Sequence, residues 1–422
     1  MGANFNLKTL TVALAALSAA SIASAAGLDR SGQDITAFLQ DGVYAEAVYT
    51  YLDADVSGYD NAYVGKDKNA YQQGSKINDI AESYDFFRYG VKADINDTFS
   101  VGVLYDEPFG AAADYSGDNK FVDQNPASPR NGEGTNVEVR TENITGILGA
   151  KFGENKEFQV YGGPVAQRVQ ADVKLRGTAY QAANGYTMNI NAGQDYGWLA
   201  GVAYSKPEIA LQAALTYRSE IDHNLNVSEI FPALASPAVP RPIPAAATGI
   251  NGEIDITTPK SVNFDFQTGI NPTMLATAKV RWVPWSDFEI VPPLYNQGSK
   301  FDPTNGPDGL SLVSYDKDQW LVELGLAKRL TPALAVTGNI GWDSGAGNPV
   351  TSLGPIEGYY SAGLGAKYNL TENWAISAGG KYLWFGDAKG QIPNKFAVSN
   401  FEDNDGFALG VKLSYQAKQD FN

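Results

Sequence analysis

The feature that most constrains this chain is a period of two, sustained over unusually long stretches. In the last of them Phe407, Leu409, Val411, Leu413 and Tyr415 alternate with Ala408, Gly410, Lys412, Ser414 and Gln416. A helix repeats every 3.6 residues, so strict alternation specifies a β-strand with one apolar and one polar face. The pattern recurs with Trp374, Ile376, Ala378, Tyr382 and Trp384 against Ser377, Gly379 and Lys381, and with Val262, Phe264 and Phe266 against Asn263, Asp265 and Gln267. Fourteen segments read this way, near 43–52, 84–95, 98–107, 136–152, 157–176, 195–205, 208–222, 260–270, 273–288, 318–329, 333–342, 358–369, 373–386 and 405–416. Most have ten or more residues. Strands of soluble proteins cluster near ~5–6 residues, whereas a tilted strand needs about 9–11 to cross a bilayer.

The connections alternate in length. Short ones, such as "IND" (95–97), "GENK" (153–156), "SKP" (205–207) and "LTE" (370–372), separate long ones near 53–83, 108–135, 177–194, 223–259, 289–317, 343–357 and 387–404. Tight turns at one rim and long loops at the other are the pattern of an outer-membrane barrel, and lipid tolerates no open sheet edge, so the sheet must close. The fold class expected is therefore all-β, a 14-stranded antiparallel transmembrane β-barrel with both termini on the short-turn side. Aromatics near strand ends (Phe152 with Phe158, Tyr368 with Trp374, and Trp282, Trp285 and Phe288) read as two interfacial girdles. A secreted soluble β-protein with an aromatic core is the rival reading.

The N-terminus reads as a signal peptide over 1–25: Lys8 precedes the apolar run 10–20, and Ala23-Ser24-Ala25 fits an A-x-A cleavage site. The segment 26–42 follows, and the barrel occupies 43–422. The chain has no cysteine and one histidine, so it carries neither disulfide nor thiolate-metal site, and its net charge of -16 argues against nucleic acid as a partner.

Chemistry is sparse. The single histidine, His223, sits at the edge of the proline-rich loop 223–259, and one solvated loop histidine makes no nucleophile pair. "FEDNDG" (401–406) is acidic but lacks the calcium-loop spacing. No cofactor and no enzyme activity are expected. Basic residues on the polar faces, Arg88, Lys92, Arg168, Arg218, Lys279, Arg281, Arg329, Lys367, Lys381 and Lys412, are read as lumen-facing, together with Asp94, Glu220, Asp265 and Glu323. They serve either as a bracing network of ion pairs or, at one or two positions, as holders of an anionic head group, for which Arg168, Arg218, Lys279 and Arg281 are the candidates. The loop 223–259, with five prolines in "FPALASPAVPRPIPAAATGINGE", is either a rigid cap or an apolar surface on which a hydrophobic ligand lands.

One strand is broken. Phe99, Val101, Val103 and Tyr105 alternate regularly and then meet Pro108 and Gly110 in "LYDEPFGAAADY". Proline removes a ladder donor and is foreign to a central strand. This stretch, with "ALTYRSEIDHNL" (214–225), "KDQWLVELGLAKRLTPALAVTGNIGWDS" (317–344) and "EGYYSAGLGAKYNLTENWAISAGGKYLWFGDAK" (357–389), resembles the FadL/TodX family of outer-membrane transporters for long-chain fatty acids and other hydrophobic compounds. The resemblance implies fourteen strands, an N-terminal hatch inside the lumen, and a wall opening at a kink in the third strand, matched here by Pro108, Phe109 and Gly110. Leu28, Ile35, Phe38 and Leu39 are the hatch residues expected. The chain departs from the family in its short N-terminal segment without the Asn-Pro-Ala motif, whose only occurrence is Asn125–Ala127 in a long loop.

Passive uptake of long-chain fatty acids or similar hydrophobic compounds across the outer membrane of a Gram-negative bacterium is the function these features imply. Lateral release would pass through the third-strand kink, from a monomer set among lipopolysaccharide. A polar-solute porin and an outer-membrane lipid hydrolase are the alternatives.

Overall fold

The computed structural model describes residues 28–235 and 249–419. The expected signal peptide over 1–25, Ala26 and the C-terminal Phe421–Asn422 lie outside the described residues. Fourteen antiparallel strands form one closed sheet: β1 Val43–Asp55, β2 Tyr84–Asp94, β3 Phe99–Asp106 resuming as Gly110–Asp114, β4 Asn136–Phe152, β5 Phe158–Lys174, β6 Thr187–Lys206, β7 Leu211–Arg218 resuming as Ile221–Ile230, β8 Gly249–Thr258 resuming as Ser261–Asn271, β9 Met274–Val283, β10 Gln319–Arg329, β11 Leu334–Asp343, β12 Tyr359–Asn369, β13 Trp374–Phe385 and β14 Asp405–Ala417. Each strand pairs with its sequence neighbour, and β1 closes on β14 from Val43↔Ala417 to Asp55↔Asp405. Closure satisfies the backbone of every strand inside the bilayer, where no water could do so.

Alternation sets the two faces. On β14, Phe407, Leu409, Val411 and Leu413 point to lipid and are exposed, while Lys412 and Ser414 point inward and are buried. Aromatic rings ring the outer surface at two levels. The lower level includes Phe152 stacked on Phe158, ring centroids 5.5 Å apart, and Trp374 beside Tyr415. The upper includes Tyr89 beside Tyr105, with Tyr196 and Trp198 exposed on β6.

Three sequence expectations are corrected here. First, β6 starts at Thr187 rather than 195, and the loop 223–259 is strand at both ends, because Ile221–Ile230 pairs with Gly249–Thr258 as an extension of the barrel above the membrane. Second, Trp285 and Phe288 are buried in the capped end, leaving only Trp282 beside Trp320 for the girdle. Third, above the upper girdle the alternation inverts. On β5, Val165, Val169, Ala171 and Val173 face inward and are buried, whereas Arg168 and Gln170 face out. Outside the bilayer the wall meets water and the interior is packed with loops, so the polar face is the outer one. Arg168 and Glu220 are therefore exposed on the outer wall, and Arg329 lies half-exposed at the short-turn rim against the Pro272 carbonyl.

The long loops build a cap. Strands Gly58–Asn61, Gln73–Ile77, Val350–Thr351, Ala388–Gln391 and Ala397–Phe401 form a small second sheet, and a helix, α1 (Pro293–Ser299), is anchored by Glu229, which accepts from the Leu294 and Tyr295 amides and from the Tyr186 hydroxyl. Beneath the cap is a continuous apolar core in which Tyr115 stacks on Phe121, centroids 4.4 Å apart, and Trp285 meets Phe288, Tyr315 and Phe109.

Candidate functional site

The segment from Leu28 to Gly42 lies inside the lumen and is buried almost throughout. The turn at Gly32 and Gln33, both at positive φ, lets the chain double back within the barrel. Ile35, Phe38 and Leu39 join an apolar cluster with Leu104, Ile147, Tyr161, Val165 and Leu199. Phe38 is seated on wall glycines: a Cβ at Gly102 would lie 2.7 Å from its Cδ2, and one at Gly149 would lie 2.9 Å from its Cζ. Full burial of a side chain of this kind contributes about 1.5–3 kcal/mol.

Polar contacts hold the segment more specifically, and the hydrophobic residues singled out in the sequence do not include them. Asp29 is bound in bidentate fashion by Arg281 of β9, at 2.7 and 2.8 Å, with both side chains buried. Asp34 lies between Arg88 of β2 at 3.4 Å and Lys279 of β9 at 3.7 Å. Burial opposes its ionisation, but the two cations and the Thr36 donors outweigh that and hold its carboxyl well below the usual carboxylate range. Ser31 donates to Asp106 at 2.6 Å, Ser261 donates to the Gln33 side chain at 2.7 Å, and Asn263 donates to the Gly32 carbonyl at 2.8 Å. Further along, Lys92 donates to the Gln40 and Gly42 carbonyls and pairs with Asp94 at 2.6 Å. The wall cations were legible as lumen residues. Their partners, a run of polar residues in "AGLDRSGQDITAFLQDG", could have been found as the opposite charges available to them.

The break in β3 meets this segment directly. Below it, β3 pairs with β2 from Tyr89↔Tyr105 down to Asp94↔Ser100. Beyond it, among the described residues, Gly110–Asp114 pairs with no strand but β4, apart from one bridge, Ala81↔Ala113. The vacated edge is filled by the lumen segment: the Arg30 amide donates to the Pro108 carbonyl and the Gly110 amide to the Leu28 carbonyl, both at 2.7 Å, with Asp29 bridged to Phe109. Pro108 has no amide to offer a neighbouring strand. Gly110 leaves room for Arg30, because a Cβ there would lie 2.4 Å from the Arg30 Cζ. The Phe109 side chain points inward, edge-on to Trp285 with centroids 5.5 Å apart. On the outer side a polar recess of about 310 Å³ is lined by Arg30, Tyr84, Glu107, Glu138, Arg140 and Arg168, and the Arg30 guanidinium lies 4.1 Å from the Tyr84 ring centre.

The four head-group candidates separate. Arg168 is on the outer wall, Arg281 is committed to Asp29, and Lys279 lies between Asp34 and Asp265. Arg218 is buried in the lumen; its Nη1 reaches Thr145 at 3.4 Å and its Nε has no hydrogen-bond partner among the described residues. Several of the other lumen charges form ion pairs, with Lys412 and Arg88 on Glu46 and Lys381 on Glu323 at 2.7 Å. His223 is not solvated as expected. It is buried on β7, its Nε2 2.9 Å from Gln167 and its Nδ1 3.2 Å from Asp195.

Solved structures share this fold. A Pseudomonas aeruginosa FadL homologue matches at TM-score 0.66 with 15% identity, covering 89% of this chain and 90% of its own. The P. putida toluene transporter TodX matches at TM-score 0.58 with 11% identity, covering 91% and 92%, and the CymD monoaromatic hydrocarbon channel at 0.55 with 11% identity, covering 98% and 99%. No curated protein matches the chain. The family model for the outer membrane protein transport protein family (OMPP1/FadL/TodX) matches residues 15–421. With its closed 14-stranded barrel and that match over nearly its whole length, the chain belongs to the OMPP1/FadL/TodX family of hydrophobic-compound transporters of the Gram-negative outer membrane.

Proposed function

We propose that this barrel takes up long-chain fatty acids or similar hydrophobic compounds and releases them sideways through the break in β3. One observation carries the reading: the gap in the wall and the plug in the lumen are closed by the same residues, Leu28–Arg30. Withdrawing them from Pro108–Gly110 unblocks the wall and loosens the plug in one movement. The aromatic core from the cap down to Phe109 offers an apolar path, and each CH₂ kept out of water along it avoids a cost of ~0.8 kcal/mol. Arg218 is the residue we assign to a carboxylate head group, because its Nε has no hydrogen-bond partner among the described residues. The charged outer belt of Glu138, Arg140, Glu142 and Arg168 is suited to meeting lipopolysaccharide head groups.

The name of TodX as a toluene transporter favours a second substrate class, small aromatic hydrocarbons, which the rings of Trp285, Phe288 and Tyr315 would suit and which would not need Arg218. Native mass spectrometry of the purified protein separates the two by what co-purifies. For the route, Pro108→Val returns the ladder amide that the break lacks while leaving the Gly110 cradle for Arg30 intact. Uptake of oleate by cells is expected to fall, and uptake at the unaltered rate refutes lateral release there.

A further inference from the structure

The wall has a second discontinuity, between β6 and β7. These strands pair from Leu211↔Lys206 to Arg218↔Leu199 and again from Val227↔Ile190 to Ile230↔Thr187. Between the two runs, eight residues on each strand (191–198 and 219–226) form no ladder, although β6 stays paired with β5 and β7 with β8. Among the described residues the backbone of the two edges is tied at the lower end, where the Ser219 amide donates to the Trp198 carbonyl at 2.9 Å and the Trp198 amide to the Ser219 hydroxyl at 3.0 Å, and a side-chain contact between His223 and Asp195 at 3.2 Å lies between the two runs.

The cause lies in two bulges at different heights. On β7 the buried positions run Ala214, Thr216, Arg218 and then Ile221, His223, Leu225, Val227, so inward parity switches at 219–220. β8 switches in step at 259–260, so the β7–β8 pairing survives. β6 switches only at 191–192, where its pairing with β5 shifts register. Between the bulges β6 and β7 are one residue out of phase, and strands out of phase by one cannot align both their faces and their hydrogen bonds. The slit is thus written into the chain by the spacing of two insertions.

Side chains fill it. A Cβ on Gly193 would lie 2.3 Å from Leu225 Cδ2, and one on Gly197 would lie 2.6 Å from Ile221 Cγ1, so the glycines on one edge receive the aliphatic side chains of the other. Leu225 belongs to the upper apolar core and Ile221 to the lower one, which places the inner mouth where the two meet, directly above Arg218. The contact between His223 and Asp195 crosses the middle. Outside, Tyr196 and Trp198, 70% and 52% exposed, stand at the lower end in the aromatic girdle. The row Asp106↔Asn143, Asn143↔Gln167, Gln167↔Asp195 puts the slit at the height of the β3 break, on the opposite side of the β4–β6 panel. Unpaired backbone is tolerable at this height because water reaches it, as it does not in the hydrocarbon.

We infer that the β6–β7 slit is a second lateral passage for the apolar ligand, joining the lumen to the outer-leaflet interface when Ile221 and Leu225 swing out of the wall. This rests on the hydrophobic-uptake reading but not on release through β3. The chain lacks cysteine, so Asp195→Cys gives a single, partly exposed thiol in the folded protein. Attaching a bulky methanethiosulfonate reagent should lower the uptake of a fluorescent long-chain fatty acid by cells at least threefold relative to the same variant unmodified, with recovery on reduction. The same label on Asn251→Cys, on the outer face of β8, should have no effect. An unchanged rate after modification at position 195 overturns the passage. Should the unaltered chain take up no fatty acid, the uptake reading fails separately. The slit is then judged on the native protein by photolabelling with a diazirine-bearing long-chain alcohol: adducts on Ile221, Leu225 or Trp198 support it, and adducts confined elsewhere refute it.

Discussion

Asp29→Ala is the most direct probe of how the lumen segment is held. The carboxylate is buried and takes two hydrogen bonds from Arg281, whose remaining partner is the Asn263 side chain at 2.9 Å. Removing it leaves a guanidinium buried without its counter-charge, and breaking a buried ion pair from one side costs about 3–5 kcal/mol. Because Asp29 sits between the two hydrogen bonds that close the β3 gap, that cost falls on the docked state of Leu28–Arg30. A loss of this size raises the undocked population roughly a hundred- to a few-thousand-fold. Hydrogen exchange of the Arg30 and Gly110 amides in detergent reads it directly, since both are bonded only while the segment is docked. Single-channel conductance in planar bilayers should rise in parallel from the low value of a plugged lumen. Pairing Asp29→Ala with Arg281→Met removes the orphaned charge and should restore much of the protection, because an apolar replacement for a buried pair is often neutral. Unchanged exchange at both amides in Asp29→Ala would show that the segment is held by its apolar contacts alone.

Other consequences follow from the same geometry. Since the carboxyl of Asp34 is held below its unfolded range, its contribution to stability is fully present above that range, from roughly pH 5 upward, and is lost progressively as pH falls below ~4 toward the depressed value. The melting-temperature gap between the native chain and Asp34→Asn should therefore be flat between about pH 5 and 8 and narrow in acid. Gly110→Ala puts a Cβ into the Arg30 guanidinium, so trypsin added to the folded protein should cleave after Arg30 faster than in the native chain. Phe109→Ala removes a buried ring packed on Trp285 and should destabilise by ~3–5 kcal/mol, read as a lower unfolding midpoint, while also weakening uptake.

Legibility followed the physics of each region. Inside the bilayer the lipid face must be apolar and the lumen accepts charge, so alternation located all fourteen strands, and Lys412, Lys381, Arg88 and Lys279 fell on the lumen face as read. Above the girdle the same rule fails, because water is outside and packed loops are inside. Arg168 and Glu220 were misplaced for that reason, and the strand Ile221–Ile230 was hidden by the prolines that follow it. Leu28, Ile35, Phe38 and Leu39 are buried in the lumen, but the residues that pin the segment are Asp29, Arg30, Ser31 and Asp34, whose partners are about 50 to 250 positions away in the chain.

Period, turn length and proline act locally, so the closed 14-stranded barrel and the broken strand at Pro108–Gly110 are readable in the chain itself. Folding alone brings Leu28–Arg30 into that break, leaves the Arg218 Nε without a partner among the described residues, and sets β6 and β7 out of phase. Those outcomes depend on which distant strand each charge meets and on the relative height of two bulges, and no local pattern encodes either.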